Sequence, residues 1–354
     1  MNRLLIKRLF STTGKYPKTF DKLLIANRGE ISRRVQSTCK KMGIKTVAVY
    51  SDADRHSMFV READEAYRLG PPPSGESYLR GDLILEIAKK CGAQAVHPGY
   101  GFLSENSKFS DLLAKNNIVF IGPSSKSIEA MGDKIESKKL ATKSGVNRIP
   151  GFLGEVEPEK AREIAREIGY PVMVKASAGG GGKGMRIAWN DEELETGFRM
   201  SRNEAISSFG DGRMLIEKYV ESPRHIEFQI LGDQFGHYVY LPERECSVQR
   251  RNQKVIEEAP SVVMDPETRH AMGTQACMMA KACDYYTTGT CEFLMDKYKK
   301  FYFLEMNTRL QVEHPVTEII TGIDLVEQMI LIAAKHPLKI TQNDVKINGH
   351  SIEY

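Results

Sequence analysis

The sequence predicts an α/β doubly wound domain followed by an α+β domain. Strand-like segments alternate with helical ones over about residues 21–125, which is the pattern of a parallel sheet covered by helices. Beyond about residue 170, strand-like segments follow one another with few helices between them. A length of 354 residues fits two or three domains at roughly 150 residues each. With 41% hydrophobic and 27% charged residues, the composition is that of a globular protein.

The first domain alternates short apolar runs with helical segments. Apolar runs of this length, bounded by turn residues, are typical of buried strands. The predicted elements are the strand Lys22–Ala26, the helix Glu30–Met42 ending at Gly43, the strand Lys45–Tyr50, a helix over 80–91, and the strands Ala93–His97 and Ile118–Gly122. Strands joined by helices run parallel, so we expect a doubly wound sheet.

The second domain opens with a helix between Pro158 and Gly169, residues that favour helix starts and ends respectively. Strand-like segments dominate after this helix, and they predict an α+β domain. These segments are Pro171–Lys175, Met214–Glu217, Ile226–Leu231, Tyr238–Leu241, Thr290–Leu294 and Phe301–Glu305.

Positive charge is concentrated at the N-terminus. The chain has a net charge of +4, yet residues 1–20 hold five basic and no acidic side chains, which leaves 45 basic and 46 acidic ones elsewhere. A neutral body argues against a nucleic-acid partner. Basic and apolar side chains take opposite faces of a helix over Met1–Phe10, which predicts a mitochondrial presequence over 1–20 and a matrix location, the alternative being a disordered basic tail.

Cysteine spacing and hydropathy bear on the redox compartment and on membrane insertion. The six cysteines form no CxxC pair, so we expect free thiols in a reducing compartment. The apolar run Met329–Ala334 is six residues long, well short of the roughly 20 that a membrane-spanning helix needs. We therefore expect no membrane insertion.

A run of four glycines, Gly179–Gly182, is followed by Lys183. Such a loop lets backbone N–H groups approach phosphate oxygens, so Gly180, Gly181, Gly182 and Lys183 are candidate nucleotide ligands. A strand-like segment follows the run, which argues against a dinucleotide-binding turn, and Gly184 stands where a Walker loop needs Ser or Thr. A glycine flap over a nucleotide remains, with a flexible hairpin tip as the alternative.

Two further segments fit a nucleotide site. Lys175 ends the strand before the glycine run and can reach phosphates, the alternative being a solvated strand end. The strand Met214–Glu217 passes into a connector at Lys218 that could hold an adenine.

Carboxylates in the last two strands predict a metal site. Glu305 and Asn307 are two residues apart, so a strand places both on one face. The strands 290–294 and 301–307 should pair as a hairpin that brings Glu292 to the same place. Three hard oxygen donors suit Mg²⁺ or Mn²⁺, and the alternative is an exposed polar face.

Two polar segments complete the candidate site. Residues 307–315 contain Arg309, suited to stabilising an oxyanion, and Glu313, a candidate base. The basic cluster Gln249–Lys254 lacks interleaved aromatic residues, so stacking on nucleic-acid bases is not expected.

These segments, in this order, resemble the biotin carboxylase family of ATP-grasp enzymes. The resemblance runs from about residue 21 to 353. It rests on LIANRGEI (24–31), HPGYGFLSEN (97–106), MGDK (131–134), KASAGGGGKGMR (175–186), RHIEFQ (224–229), ERECSVQRRNQK (243–254), EEAPS (257–261) and EMNTRLQVEHPVTE (305–318). Within the family, the sequence is most similar to the propionyl-CoA-specific α subunits, whereas residues 49–58 are more similar to the methylcrotonyl-CoA-specific ones.

The resemblance implies a pre-ATP-grasp domain over 21–133, an ATP-grasp domain over 134–335 and the start of a β-rich subdomain over 336–354. It implies carboxylation of biotin by ATP and bicarbonate through carboxyphosphate. The implied ATP ligands are Lys134, Lys175, His225, Glu217, Lys218 and the glycine flap, and the implied metal ligands are Glu292, Glu305 and Asn307. The residues implied around bicarbonate and biotin are Lys254, Arg309, Gln311, Val312 and Glu313, and Gln249 is a further implied cofactor-binding residue.

The family pattern continues beyond what these residues contain. Relatives carry a further β-rich subdomain with another active-site arginine, and a carrier domain with a Met-Lys-Met motif that does not occur here. The resemblance therefore implies a carrier domain and a carboxyltransferase β subunit as partners, and poor carboxylation of free biotin by this chain. The rival interpretations are an ATP-binding assembly subunit and a carbamoyl phosphate synthetase relative.

Overall fold

The computed structural model describes residues 16–178 and 184–354. The predicted presequence up to Lys15, and the predicted ligands Gly180, Gly181, Gly182 and Lys183, lie outside the described residues. Residues 16–20, which we assigned to the presequence, contact the folded body. The Tyr16 hydroxyl donates to Glu327 at 3.2 Å, and Phe20 packs against a buried cluster. These residues are therefore part of the fold.

The first domain is a parallel sheet with helices on both faces, as predicted. Its strands are β1 (Lys22–Ile25), β2 (Lys45–Ser51), β3 (Glu65–Gly70), β4 (Ala95–His97) and β5 (Val119–Phe120), and its helices are α1 (Gly29–Met42), α2 (Met58–Glu62), α3 (Gly81–Cys91) and α4 (Ser107–Ala114). The strand order is β3-β2-β1-β4-β5, and every pair is parallel. Strand β3 was not predicted from the sequence.

The side chains of β1 point alternately to the two faces of the sheet, and each face has its own hydrophobic core. Leu24 belongs to a cluster that includes α3 and α4 residues, whereas Leu23 and Ile25 belong to a second cluster on the opposite face. The second cluster also contains Leu325 and Met329 from the second domain. The two domains therefore share one hydrophobic core.

The second domain is mainly antiparallel, which confirms the α+β prediction. Helices α5 (Ser125–Gly132) and α6 (Lys134–Lys143) lead into it. Its remaining elements are α7 (Ala161–Ile168), β6 (Val172–Ala176), β7 (Met185–Ala188), α8 (Asp191–Phe209), β8 (Met214–Lys218), β9 (Arg224–Gly232), β10 (Tyr238–Tyr240), β11 (Arg244–Arg250), β12 (Gln253–Ala259), α9 (Pro266–Ala282), β13 (Thr287–Met295), β14 (Phe301–Asn307), α10 (His314–Thr321), α11 (Leu325–Ala333) and β15 (Ser351–Glu353).

These strands form two antiparallel sheets. A small sheet has the order β7-β6-β8, and a larger one has the order β14-β13-β9-β11-β12-β15 with β10 beside β9. Strand β7 comes immediately after Gly184, where a dinucleotide-binding turn would need a helix, and this confirms the strand predicted there. Strand β15 pairs with β12, which places Ser351–Glu353 in the large sheet.

The basic cluster of residues 249–254 forms a β-hairpin. Gln249 and Lys254 are cross-strand partners on β11 and β12. Between them, Arg251 and Asn252 adopt φ values of 52° and 62°, as a tight two-residue hairpin turn requires. The hairpin brings Lys254 onto the sheet. None of the helices in residues 16–178 and 184–354 has both the length and the hydropathy needed to cross a membrane.

Candidate active site

The face of the large sheet holds the predicted carboxylates together. Glu292 on β13 is the cross-strand partner of Glu305 on β14, and Thr290 is the partner of Asn307. The amide of Asn307 donates to Glu292 Oε1 at 2.8 Å. The hairpin therefore assembles the three oxygen-bearing side chains that strand alternation predicted.

Lys254 joins three carboxylates from three different elements. Its ammonium group donates to Glu292 Oε1 at 2.9 Å, to Glu313 Oε1 at 2.8 Å, and to Glu227. Glu227 lies on β9, is fully buried and was missed in the sequence analysis. Lys254 therefore links the predicted metal ligands to the predicted base.

Charge compensation sets the pKa values of this cluster. Burial alone would lower the pKa of Lys254, but Glu227 and Glu292 outweigh burial and hold that pKa well above its ordinary value. Burial alone would raise the pKa of Glu292, but Lys254 and His225 hold it well below its usual range. Glu305 differs, because burial and the nearby charge of Glu292 raise its pKa. Within this cluster, the negative charge of Glu305 is therefore not fully balanced by nearby positive charges.

His225 and Gln249 lie at the edge of the same cluster. His225 Nε2 is 2.8 Å from Glu292 Oε2, and the Gln249 amide nitrogen is 3.1 Å from His225 Nδ1. His225, Glu227 and Glu292 present potential metal-ligand atoms within 4.8 Å of one another. Because Glu227 is bonded to Arg244 and Lys254, we attribute this grouping to the charge network rather than to a metal.

Arg244 organises the cluster from beneath and was also missed. This arginine is fully buried, and its guanidinium donates to Glu227 Oε1 at 2.5 Å and to Gln311 Oε1 at 2.6 Å. It also donates to Gln229, Thr290 and Thr317. The predicted ligand Gln311 is therefore fixed by a buried cation, whereas its neighbour Val312 is 48% exposed.

Arg309 is held by the first domain. Its Nε donates to Glu105 Oε2 at 2.9 Å, and its Nη2 donates to Asn307 Oδ1 at 3.2 Å. Glu105 Oε1 also accepts from the backbone N–H of Thr308 at 3.1 Å. A carboxylate from the segment after β4 thereby orients the predicted oxyanion-stabilising group.

A second charge cluster lies on the small sheet. Glu217 is buried between two lysines, with Lys138 Nζ 2.7 Å from Oε1 and Lys175 Nζ 3.0 Å from Oε2. Burial opposes ionisation of Glu217, but the two ammonium groups prevail and lower its pKa to about 2. Lys175 is therefore not a solvated strand end, and Lys138 is an addition to the predicted site.

The two remaining predicted lysines flank this cluster. Burial lowers the pKa of Lys134, the first residue of α6, whose backbone N–H donates to Ser177 at 3.3 Å. The Lys218 side chain instead donates to the carbonyl oxygens of Gly169 and Tyr170, at 3.0 Å and 2.8 Å. The ammonium of Lys218 thus ties β8 to the end of α7.

Comparison with known proteins decides the family. Residues 19–128 match the biotin carboxylase N-terminal domain, and residues 133–341 match the family described as the carbamoyl-phosphate synthase L chain, ATP binding domain. A biotin carboxylase β-γ-ATP complex from Campylobacter jejuni is 48% identical with a TM-score of 0.92, over 94% of this chain and 75% of that one. The chain belongs to the biotin carboxylase family.

Other relatives share this biotin carboxylase fold. The biotin carboxylase domain of the Hydrogenobacter thermophilus 2-oxoglutarate carboxylase, solved with MgADP, ADP and bicarbonate, is 50% identical with a TM-score of 0.92, over 95% of this chain and 74% of that one. The mitochondrial propionyl-CoA carboxylase alpha chain of Homo sapiens is 62% identical over 99% of this chain and 48% of its own length. The chain thus spans about half the length of such curated relatives.

Strand alternation could have revealed some of the residues that were missed. From His225 on β9, a period of two leads to Glu227 and then Gln229, and both lie in the buried cluster. No comparable pattern marks Lys138, Arg244 or Glu105, since each meets its partner only through the tertiary fold.

Proposed function

We propose that the chain supplies the biotin carboxylase activity of an acyl-CoA carboxylase of the propionyl-CoA type. The observation that carries this proposal is the Lys254 cluster, which joins the candidate metal ligand Glu292 to the candidate base Glu313 within two hydrogen bonds. Such a bridge suits a reaction in which bicarbonate must meet a metal-bound nucleotide phosphate. The 62% identity to the human propionyl-CoA carboxylase alpha chain supports the acyl-CoA class.

The donor set fits a hard divalent cation. Glu292 and Glu305 are adjacent across the hairpin, and the raised pKa of Glu305 reflects burial first and then repulsion by Glu292, both of which a bound dication would offset. Glu292, Glu305 and Asn307 would hold Mg²⁺ or Mn²⁺, which supplies neutralisation of phosphate charge when bound. Lys134, Lys175, His225, Glu217 and Lys218, with the glycine flap, are the residues we assign to ATP.

The remaining residues handle bicarbonate and biotin. Glu313 accepts the bicarbonate proton, and a bicarbonate oxygen attacks the γ-phosphorus of ATP, which gives ADP and carboxyphosphate. Lys254 and Arg309 offer positive charge to the anion during this step. Carboxyphosphate releases CO₂ and phosphate, and the phosphate takes the N1 proton of biotin. Arg309 then stabilises the ureido oxyanion while N1 attacks CO₂.

The biological setting is part of the proposal. Mitochondrial names among the relatives and the basic N-terminus support a matrix location, although a propionyl-CoA carboxylase alpha chain from the bacterium Ruegeria pomeroyi is also 61% identical. The partners we propose are a biotin carrier domain and a carboxyltransferase β subunit.

ADP formation by the purified chain tests the proposal. We expect Mg·ATP binding together with ADP formation that requires bicarbonate, measured with and without biotin. Glu313→Gln should abolish the bicarbonate-dependent part and leave Mg·ATP affinity unchanged, with the exposed Glu76→Gln as the matched control. Mg·ATP binding with no bicarbonate-dependent turnover would contradict the proposal and favour an ATP-binding assembly subunit.

A further inference from the structure

The charge cluster on the small sheet contains one carboxylate and two ammonium groups. Glu217 Oε1 is 2.7 Å from Lys138 Nζ, and Glu217 Oε2 is 3.0 Å from Lys175 Nζ. The side chains of all three residues are at most 7% exposed. Each carboxylate oxygen therefore has a lysine partner, and the three side chains together carry one positive charge.

Pairing alone does not require Lys138. Lys175 already supplies one ammonium group for one carboxylate, which would make a neutral pair. Lys138 lies on the buried face of α6 with Ile135 and Ala141. Burying a further ammonium group costs free energy, and burial accordingly lowers the pKa of Lys138. The second lysine therefore changes the charge that this cluster presents to a ligand.

The ionisation of Glu217 fits this charge count. Burial opposes ionisation of the carboxyl group, but Lys138 and Lys175 together lower its pKa to about 2. The group is thus a carboxylate at physiological pH. Because the two lysines share its single negative charge, neither of them is neutralised by Glu217 alone.

The position of Lys175 directs the excess positive charge toward the candidate phosphate loop. Lys175 is the cross-strand partner of Met185, and the connection between their strands contains the glycine run Gly179–Gly182. Lys138 lies on α6 instead, and its ammonium group also donates to the carbonyl oxygen of Phe303 at 3.3 Å. Lys138 is thus bound to protein acceptors, whereas Lys175 lies at the end of the loop that we assign to ATP.

Lys138 also connects the two sheets that carry the proposed ligands. Glu217 is on β8 of the small sheet, and Phe303 is on β14 of the large sheet. Glu305, a proposed metal ligand, is two residues beyond Phe303 on the same strand. One ammonium group therefore fixes the small-sheet cluster relative to the strand that carries metal ligands.

We propose that Lys138 is a positioning residue for the nucleotide phosphates and that it acts through Glu217. By sharing the charge of Glu217, Lys138 leaves positive charge on Lys175 for a phosphate oxygen. Without Lys138, the carboxylate would hold Lys175 as a neutral pair, and the tie to β14 would be lost. This inference rests on the assignment of Lys175 to ATP in the proposed function.

Nucleotide binding by the full chain tests this role. In Lys138→Met, the affinity for Mg·ATP and Mg·ADP, measured by calorimetry below the melting temperature, should fall about tenfold, since a hydrogen bond to a charged group is worth at least that factor. Adenosine, which has no phosphate, should bind the variant and the unmodified chain equally in titrations followed by nuclear magnetic resonance. The exposed Lys139→Met on the same helix makes the same change in net charge and is the matched control.

A double variant separates positioning from a purely structural role. When Glu217→Gln is added to Lys138→Met, no carboxylate remains at position 217 to neutralise Lys175. The affinity for Mg·ATP should then recover to within about threefold of that of the unmodified chain, because the two substitutions act on one charge network and are not additive. Lys138→Gln, which removes the charge but keeps an N–H donor, provides the same comparison if Lys138→Met does not fold.

The outcomes distinguish this inference from the proposed function. Equal Mg·ATP affinity in Lys138→Met and Lys139→Met would overturn the positioning role, as would an equal loss of adenosine affinity or no recovery in the double variant. If the unmodified chain binds Mg·ATP without bicarbonate-dependent ADP formation, the proposed function is contradicted, and the affinity ratios still decide the role of Lys138. Failure of the unmodified chain to bind Mg·ATP would overturn both.

Discussion

Replacement of Lys254 by Met should destabilise the protein in a way that depends on pH. The ammonium group is the cation shared by Glu227, Glu292 and Glu313, and the first of these carboxylates is fully buried. Methionine keeps much of the side-chain volume but removes the charge. Arg244 still compensates Glu227, so the loss falls mainly on Glu292 and Glu313.

The magnitude follows from the cost of leaving a buried charge without its partner. Removing one member of a buried ion pair costs about 3–5 kcal/mol. With an unfolding entropy of about 2 cal/mol/K per residue, this loss lowers the melting temperature by roughly 4–7 °C. The exposed Lys126→Met should change it by about 1 °C or less, since surface substitutions rarely exceed 0.5 kcal/mol.

The sign of the pH dependence is the sharper test. Because the folded-state pKa of Glu292 is depressed, this group stabilises the wild type above its unfolded value, and the contribution is lost as pH falls through the folded pKa. In Lys254→Met only His225 remains to offset burial, so the pKa of Glu292 should rise. The variant should therefore gain stability as pH falls from 8 to 6, whereas this group in the wild type should not.

Thermal unfolding at several pH values, followed by circular dichroism, measures both quantities. A second substitution, Glu313→Gln, should recover part of the loss in Lys254→Met, because the two residues are in contact and their effects are not additive. A pH-independent loss, or a shift no larger than that of Lys126→Met, would refute the assignment of Lys254 as the compensating cation.

Three further outcomes are expected. Glu305→Gln removes a buried carboxylate that Glu292 repels, so it should raise the melting temperature slightly. It should also weaken Mg²⁺-dependent ATP binding about tenfold, as measured by calorimetry, and an unchanged Mg²⁺ dependence would contradict the metal site. Val at both Gly181 and Gly182 should lower ATP affinity at an unchanged melting temperature, and equal affinity would exclude the flap. Lys138→Met removes one of two cations from Glu217, so it should lower the melting temperature more at pH 8 than at pH 5, as differential scanning calorimetry would show.

Sequence periodicity was sufficient where the site lies on regular strands. Glu305 and Asn307 share a face of β14 because they are two residues apart. The short connection between β13 and β14 requires the two strands to pair as a hairpin, which places Glu292 beside Glu305. The alternation of strands and helices similarly predicted the parallel sheet. In both cases the deciding contacts are between neighbours in sequence or across one turn.

Residues whose partners are distant in sequence could not be found in this way. Lys138 looks like one of several lysines on a polar helix, yet it is buried against Glu217, 79 positions away. Arg244 has no apolar pattern that marks it as buried, and its burial is stable only because five acceptors surround it. Such a residue becomes predictable only when the whole acceptor set is known.

The junction between the domains explains why the first domain is part of the site. In the sheet order β3-β2-β1-β4-β5, the chain adds β2 and β3 on one side of β1 and then β4 and β5 on the other. This makes the gap between β1 and β4 the topological switch point, and doubly wound sheets bind ligands at the carboxyl ends of the strands that flank it. His97 ends β4 there, and the segment that follows delivers Glu105 to Arg309. The antiparallel sheet presents the charged groups, but the parallel sheet fixes the orientation of Arg309. Separating the domains would leave the guanidinium, among the residues that the structure describes, with hydrogen bonds to Asn307 and to the Leu310 carbonyl oxygen alone.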